Sequence, residues 1–125
     1  MTRTSSASIE RNFSQVDFDL FARLSGDNNP IHVDPAFSGQ ARFGRTVAHG
    51  LLLCSVLRGL IEQLLPGKRL LEQSVMFPAP TFAGECVCFT VTVTSADESG
   101  TEVALEALRV ADGTVTCQGH ARVVT

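Results

Sequence analysis

Apolar residues at positions 51, 52, 53, 56, 57, 60, 61, 64 and 65 recur at the three- and four-residue spacing of an α-helix. Ser55, Arg58 and Glu62 form a narrow polar stripe among them, and the wide apolar surface predicts a helix over 51–65 buried nearly all round. At about 1.5 Å per residue it is about 22 Å long, enough to lie across a sheet. Pro66 and Gly67 stop it. Beyond them the period changes to two. Segments 71–78, 86–94, 102–110 and 115–124 read as strands, separated by Ala83-Gly84, Ser99-Gly100 and the hairpin signal Asp112-Gly113. Ahead of the central helix the elements are shorter. Segment 9–13 reads as an edge strand. Ser14, with Asp17 three residues on, has the form of a capping box for a helix carrying Val16, Leu20, Phe21 and Leu24, which Gly26 ends. Asp34 and Pro35 open a second short helix that ends near Gly39. One buried helix followed by four long antiparallel strands predicts an α+β domain with a sheet wrapped around a helix.

Composition narrows the class. The chain has 125 residues, the size of one domain with one core. With 44% hydrophobic and 18% charged residues it is globular rather than disordered. A net charge of −3 gives no basic field, which counts against a nucleic-acid partner. No apolar run approaches the roughly 20 residues that span a bilayer. Residues 1–8 are small and polar without an apolar signal core, so they read as a frayed tail, with the domain over 9–125 and a cytoplasmic location expected. The four cysteines fit a reducing compartment. Cys86, Cys88, Cys117 and His120 make four metal ligands on paper. However, the 86/88 spacing is not that of a zinc knuckle, and positions 117 and 120 point to opposite faces of a strand. The cysteines are therefore expected to be buried small hydrophobes, with no metal.

The densest polar stretch lies between the two early helices: Asp27, Asn28, Asn29, Pro30, Ile31, His32. Pro30 forbids a continuous helix and pushes Asn29 towards extended geometry. The chain must bend here, which allows an acid and an imidazole five residues apart to share one small volume. Two readings remain open at this point: an ordinary capped polar loop, or an acid–base pair.

The run Phe21, Leu24, Ser25, Gly26, Asp27, Asn29, Pro30, Ile31, His32 and then Ser38 resembles the signature of the R-specific enoyl-CoA hydratases, within the wider family of MaoC-like dehydratases. Val47, Ala48, His49, Gly50, Leu51 resembles that family's entry into its central helix, and a weaker resemblance continues through Phe77, Pro78 and Gly84. The resemblance implies a hot dog fold and a homodimer whose sheets join edge to edge. It implies a substrate that is an enoyl thioester of coenzyme A or acyl carrier protein, with no further cofactor.

Hydrating such a thioester needs a base for water, a proton for the α-carbon and a donor for the thioester oxygen. The resemblance assigns Asp27 as base, His32 as its partner and the Gly50 amide, at the first turn of the central helix, as oxyanion donor. Asn29 is expected to orient the loop or the carboxylate, and Ser38 to close the loop. His49 is either a structural hydrogen bond or a contact beside the oxyanion site. His120 is expected to be structural. Coenzyme A carries phosphates, so Arg42 and Arg45 before the helix and Lys68 and Arg69 after it are candidate contacts. Ser55 and Arg58 are expected at the acyl pocket, although an i, i+4 pair of Arg58 with Glu62 at a dimer seam explains them equally well. A hot dog thioesterase and a non-catalytic thioester-binding subunit are the competing readings.

Overall fold

The computed structural model describes residues 5–125. The element order is β1 (Ser6–Asn12), α1 (Gln15–Ser25), α2 (Pro30–Val33), α3 (Pro35–Gly39), α4 (Gly50–Leu64), β2 (Arg69–Met76), β3 (Cys86–Asp97), β4 (Gly100–Arg109) and β5 (Val115–Val124). The five strands form one sheet in the order β1-β3-β4-β5-β2, and every neighbouring pair is antiparallel. The expected α+β sheet-and-helix architecture is therefore present.

Period two in β3 points Val87, Phe89 and Val91 to one face, all fully buried. Val103, Leu105 and Ala107 of β4 and Cys117, Ala121 and Val123 of β5 join them, and α4 covers this face with Leu53, Leu57, Leu60 and Ile61. Phe13, just beyond β1, packs edge-on against Phe89 with ring centroids 6.1 Å apart. Gly119 lets β2 and β5 close upon each other, since a Cβ there would collide with the Ser74 carbonyl.

Four expectations change. First, β1 begins at Ser6, so the expected tail over 1–8 is partly strand; residues 1–4 lie outside the described residues. Small polar residues pair with Thr90 and Thr92 at the sheet edge as readily as apolar ones, because the pairing is made by backbone. Second, α4 is not buried all round. Leu51 is 70% exposed, and Ser55, Gly59, Glu62 and Gln63 are exposed too. A single sheet covers only one side of a helix. Third, β3 runs on to Asp97 through a bulge near Val93 and Ser95, where exposed polar residues hide the strand from a hydrophobic pattern. Fourth, only Cys54 and Cys117 are buried; Cys86 and Cys88 are half-buried on the outer face of β3. Burial, with Cys54 nearby, pushes the Cys117 thiol up to about 12.

Candidate active site

The segment before α4 places the polar groups. Ser14 and Asp17 form the expected capping box of α1, and Gly26 closes that helix in the left-handed region at φ +83°. Asp27 follows at once, outside any helix. Asn29 then caps the single turn α2, its side-chain oxygen accepting from the Ile31 amide at 3.2 Å with Pro30 at the first helical position. This turn carries His32 inward. Gln15 of α1 locks it from outside, donating to the His32 carbonyl at 2.8 Å while accepting from the Thr46 hydroxyl at 2.7 Å.

Two imidazoles are fixed by backbone carbonyls. His32 Nδ1 lies 2.8 Å from the Val47 carbonyl, and His49 Nε2 lies 2.8 Å from the Asp27 carbonyl. A carbonyl only accepts, so each of these nitrogens carries the hydrogen. In neutral His32 the other nitrogen, Nε2, keeps its lone pair, and it lies 3.9 Å from Asp27 Oδ2. The His32 side chain is 11% exposed, that of Asp27 58%. The site therefore has a buried imidazole and an accessible carboxylate. His49 is stacked on His32 at 3.9 Å and 23°, with Phe21 against it at 4.8 Å.

Asp27, His32 and His49 bring three donor atoms within 4.8 Å of one another. The geometry does not suit a shared cation. Stacked imidazoles direct their in-plane lone pairs side by side, not to one point, and one nitrogen of each ring is already committed to a carbonyl. The arrangement suits a water molecule instead. A water about 2.8 Å from both Asp27 Oδ2 and His32 Nε2 would meet them at an angle of roughly 90°.

Gly50 opens α4, and among the described residues its amide has no acceptor in the chain. The Phe77 ring faces it so closely that a Cβ on Gly50 would lie 2.7 Å from the ring tip. Both residues line a cavity of about 470 Å³, bounded also by His32, Leu53 and Thr81, with Arg42 among its lining residues. A wider groove of about 630 Å³ crosses the outer sheet face along Thr90, Glu106 and His120, away from this chemistry.

The structure thus brings together Asp27, His32, His49 and Gly50, with Asn29 as loop cap and Arg42 nearby. Ser38 is buried and its hydroxyl donates to the Ile31 carbonyl at 3.3 Å, a loop closure as expected. Other expected contacts stand elsewhere within this chain. Arg45 donates to the Ala83 carbonyl at 2.9 Å and lies over the Phe82 ring. Lys68 reaches Thr125 beyond the far end of α4, and Arg69 starts β2 there. Ser55 turns its hydroxyl back to the Leu52 carbonyl at 2.7 Å. Arg58 lies 3.9 Å from Glu62, the i, i+4 pair, and neither Ser55 nor Arg58 lines the cavity. Sequence reasoning missed Phe77 and Thr81 as cavity walls. Thr81 is 2% exposed and its hydroxyl has no partner among the described residues.

Comparison with known proteins gives a consistent relationship. The (R)-specific enoyl-CoA hydratase of Aeromonas caviae is 43% identical over 94 residues, covering 74% of this chain and 70% of the relative. The (R)-specific enoyl-CoA hydratase of Rhodospirillum rubrum is 34% identical over 121 residues, covering 95% and 84%. Among solved structures, the (R)-hydratase from A. caviae involved in PHA biosynthesis superposes with a TM-score of 0.91 at 34% identity, covering 99% of this chain and 96% of that one. An R-hydratase from Pseudomonas aeruginosa gives 0.90 at 26% identity, covering 100% and 82%. Residues 1–114 match the family described as MaoC like domain, and the chain belongs to that family.

Proposed function

We propose that this protein is an R-specific enoyl-CoA hydratase, adding water reversibly to a trans-2-enoyl thioester to give an R-3-hydroxyacyl thioester. The carrying observation is the face-to-face placement of Asp27 Oδ2 and His32 Nε2 at 3.9 Å, beside the unpaired amide of Gly50. A water held by both groups donates to each. As its oxygen bonds to the β-carbon, one O–H bond breaks and that proton passes to the pair, with Asp27 as base. The π electrons of the double bond move onto the thioester oxygen, where the Gly50 N–H and the positive end of α4 meet the charge. The pair then returns a proton to the α-carbon from the same side, so addition is syn and both groups end as they began. The two groups share that proton as a coupled pair. Acid–base help of this kind is worth about 10²–10⁴-fold and an oxyanion donor on the order of 10²–10³, so both parts are needed.

The reaction calls for no metal or further cofactor. Arg42, exposed at the cavity and stacked only on Phe43 at 5.3 Å, is the cation placed to meet a phosphate of the thiol carrier, whether coenzyme A or acyl carrier protein. A homodimer is part of the reading. The edge strand β2 leaves Leu71 and Met76 each 57% exposed, and Leu51 at the start of α4 is open as well. No helix among the described residues is long and apolar enough to cross a membrane, and the free thiols suit the cytoplasm.

The test is crotonyl-CoA, followed by the ultraviolet absorbance of its enoyl thioester. The wild type is expected to remove the signal without releasing free thiol, and Asp27→Asn to slow this by about 10²-fold or more. Free thiol would transfer the chain to the thioesterases. Tight binding with no turnover of short, long or polar enoyl thioesters would make it a non-catalytic binding subunit.

A further inference from the structure

Segment 77–85 joins β2 to β3 and builds one wall of the cavity with residues 77–81. It has little regular structure. Its tie to the site is an isolated antiparallel bridge, Val47 to Phe82, with the Ala48 amide donating to the Thr81 carbonyl at 2.8 Å. Val47 is the residue whose carbonyl accepts from His32 Nδ1, and its amide donates to the Ile31 carbonyl at 2.9 Å. The orientation and tautomer of His32 therefore depend on where the bridge holds Val47.

The bridge is held in turn by Arg109, the last residue of β4. Its Nη2 donates to the Pro80 carbonyl at 2.8 Å, its Nε lies 2.9 Å from the Glu85 carboxylate, and its Nη1 lies 3.1 Å from Asp112. The other oxygen of Glu85 accepts from the Phe82 amide at 2.8 Å. The guanidinium stands 5.7 Å from the Phe82 ring centre, and Arg45 is placed over the same ring at 4.7 Å. Arg109 thus holds both ends of 80–85, Pro80 by a hydrogen bond from Nη2 and Glu85 by charge at 2.9 Å from an Nε–H that makes no hydrogen bond of its own, a spread of contacts that the single ammonium of a lysine cannot reproduce. The side chains of Arg109 and Glu85 are 15% and 17% exposed, so the pair is sheltered from the screening that weakens surface pairs.

We infer that Arg109 is a positioning residue for His32, acting through Pro80, Phe82 and the Val47 bridge without touching the cavity. Its structural arm is independent of any reaction, while its kinetic arm rests on the hydratase reading.

The decisive measurement is the tautomer of His32 in full-length protein labelled with ¹⁵N-histidine, read from two-bond proton–nitrogen correlations. The chain has three histidines, so assignment by single substitution is direct. Wild type is expected to show the Nδ1–H form at His32. Arg109→Met keeps an apolar stem but no fork. It is expected to lower the Nδ1–H population of His32, leave His49 as Nε2–H, and reduce kcat about tenfold with KM changed less than about threefold. Arg109→Lys is expected to fall between. Should Arg109→Met not fold, Glu85→Gln takes its place. It removes the charge pair, keeps an acceptor for the Phe82 amide, and is expected to move His32 in the same direction by less. A folded variant of either kind with wild-type His32 resonances overturns the inference and leaves Arg109 a stabilising residue only. A His32 shift in the variants, together with a wild type that turns over no enoyl thioester, sinks the hydratase reading and leaves the positioning role standing.

Discussion

Gly50→Ala separates the stability of α4 from the chemistry at its first turn. The backbone at Gly50 is not in the left-handed region, so alanine fits it. Helix propensity even favours the change, by up to about 1 kcal/mol in a helix interior and less at a terminus. The obstacle is a single side chain. The new Cβ would lie 2.7, 2.8 and 3.2 Å from three atoms of the Phe77 ring, where carbon contacts ordinarily settle at about 3.5–4.0 Å. The ring must therefore retreat by about 1 Å. In a closed core such overpacking costs about 1–3 kcal/mol. Phe77, however, is 46% exposed and can swing outward without leaving a core cavity. The net change in stability is expected to stay within about 1 kcal/mol, a shift in Tm of less than about 5 °C. Activity should not be spared. Gly50 and Phe77 face each other where the thioester is to sit, and a misplacement of about 1 Å is worth up to 10²-fold. The expected result is a fall in kcat/KM for crotonyl-CoA of about tenfold to hundredfold with the Gly50 N–H still present. Adding Phe77→Leu should restore part of it, since the two residues are in contact. Thermal melts and hydration rates on the same preparations decide the matter. An unchanged rate would mean that the thioester does not pass between Gly50 and Phe77. A collapsed Tm would refute the argument that the ring is free to move.

Thr81→Val removes a buried hydroxyl that has no partner among the described residues; the variant should unfold at equal or higher denaturant concentration, by about 1 kcal/mol, and a rise in its KM would show that substrate uses the hydroxyl. The thiols of Cys54 and Cys117 are both pushed up by burial, Cys117 to about 12. They should stay protonated and resist a disulfide-exchange reagent at pH 8 until the protein is denatured, and rapid titration of all four thiols in the native state would contradict this packing. Asp112 is held below the usual carboxylate range by the Thr114 amide and hydroxyl, then by Arg109. A depressed folded pKa contributes stability that is present above the unfolded value of about 4 and lost as pH falls through the folded value. Asp112→Asn should therefore lower Tm at pH 7 and make no difference near pH 2, and an equal loss at both would point to packing instead.

The legible parts of the site are those the chain brings together locally. Asp27 and His32 are five residues apart with Pro30 forcing the bend between them, and His49 and Gly50 are neighbours at a helix start. Local rules of capping and turn formation predicted the bend and the helix start, while the choice of these residues as an acid–base pair and oxyanion donor came from the family resemblance. For the remaining residues one physical limit holds: a residue type states what a group is able to do, not which partner takes it. Arg45 in a loop before a helix looks like a free cation, yet its guanidinium is spent on the Ala83 carbonyl and the Phe82 ring. The apolar surface of α4 asks for cover on all sides, but one sheet has only one face to give. Ser55 and Arg58 were expected at an acyl pocket because the resemblance puts this part of the helix there; within the chain Ser55 is exposed, Arg58 is half-buried and pairs with Glu62, and neither lines the cavity.

Thr81 and Arg109 had no local signal at all, and Phe77 stood out only in the weaker part of the resemblance. Phe77 and Thr81 reach the site because β2 and β3 lie at different places in the order β1-β3-β4-β5-β2, so that the connection between them must cross the sheet's end, over the start of α4, where Arg109 at the end of β4 braces it from outside the cavity. That crossing explains why a reaction centre with a short motif still needs a whole domain. The motif supplies a carboxylate and an imidazole, groups that many loops contain. Nδ1 of the imidazole must be the protonated nitrogen if Nε2 is to accept from water, and this depends on the Val47 carbonyl being 2.8 Å away. Val47 is held by a bridge to Phe82, and Phe82 by an arginine that lies 77 positions beyond His32 in the sequence. A substitution in 82–85 or at Arg109 is thus expected to act on the rate even though none of these residues lines the cavity, whereas one on the exposed side of α4 at Gln63 should not.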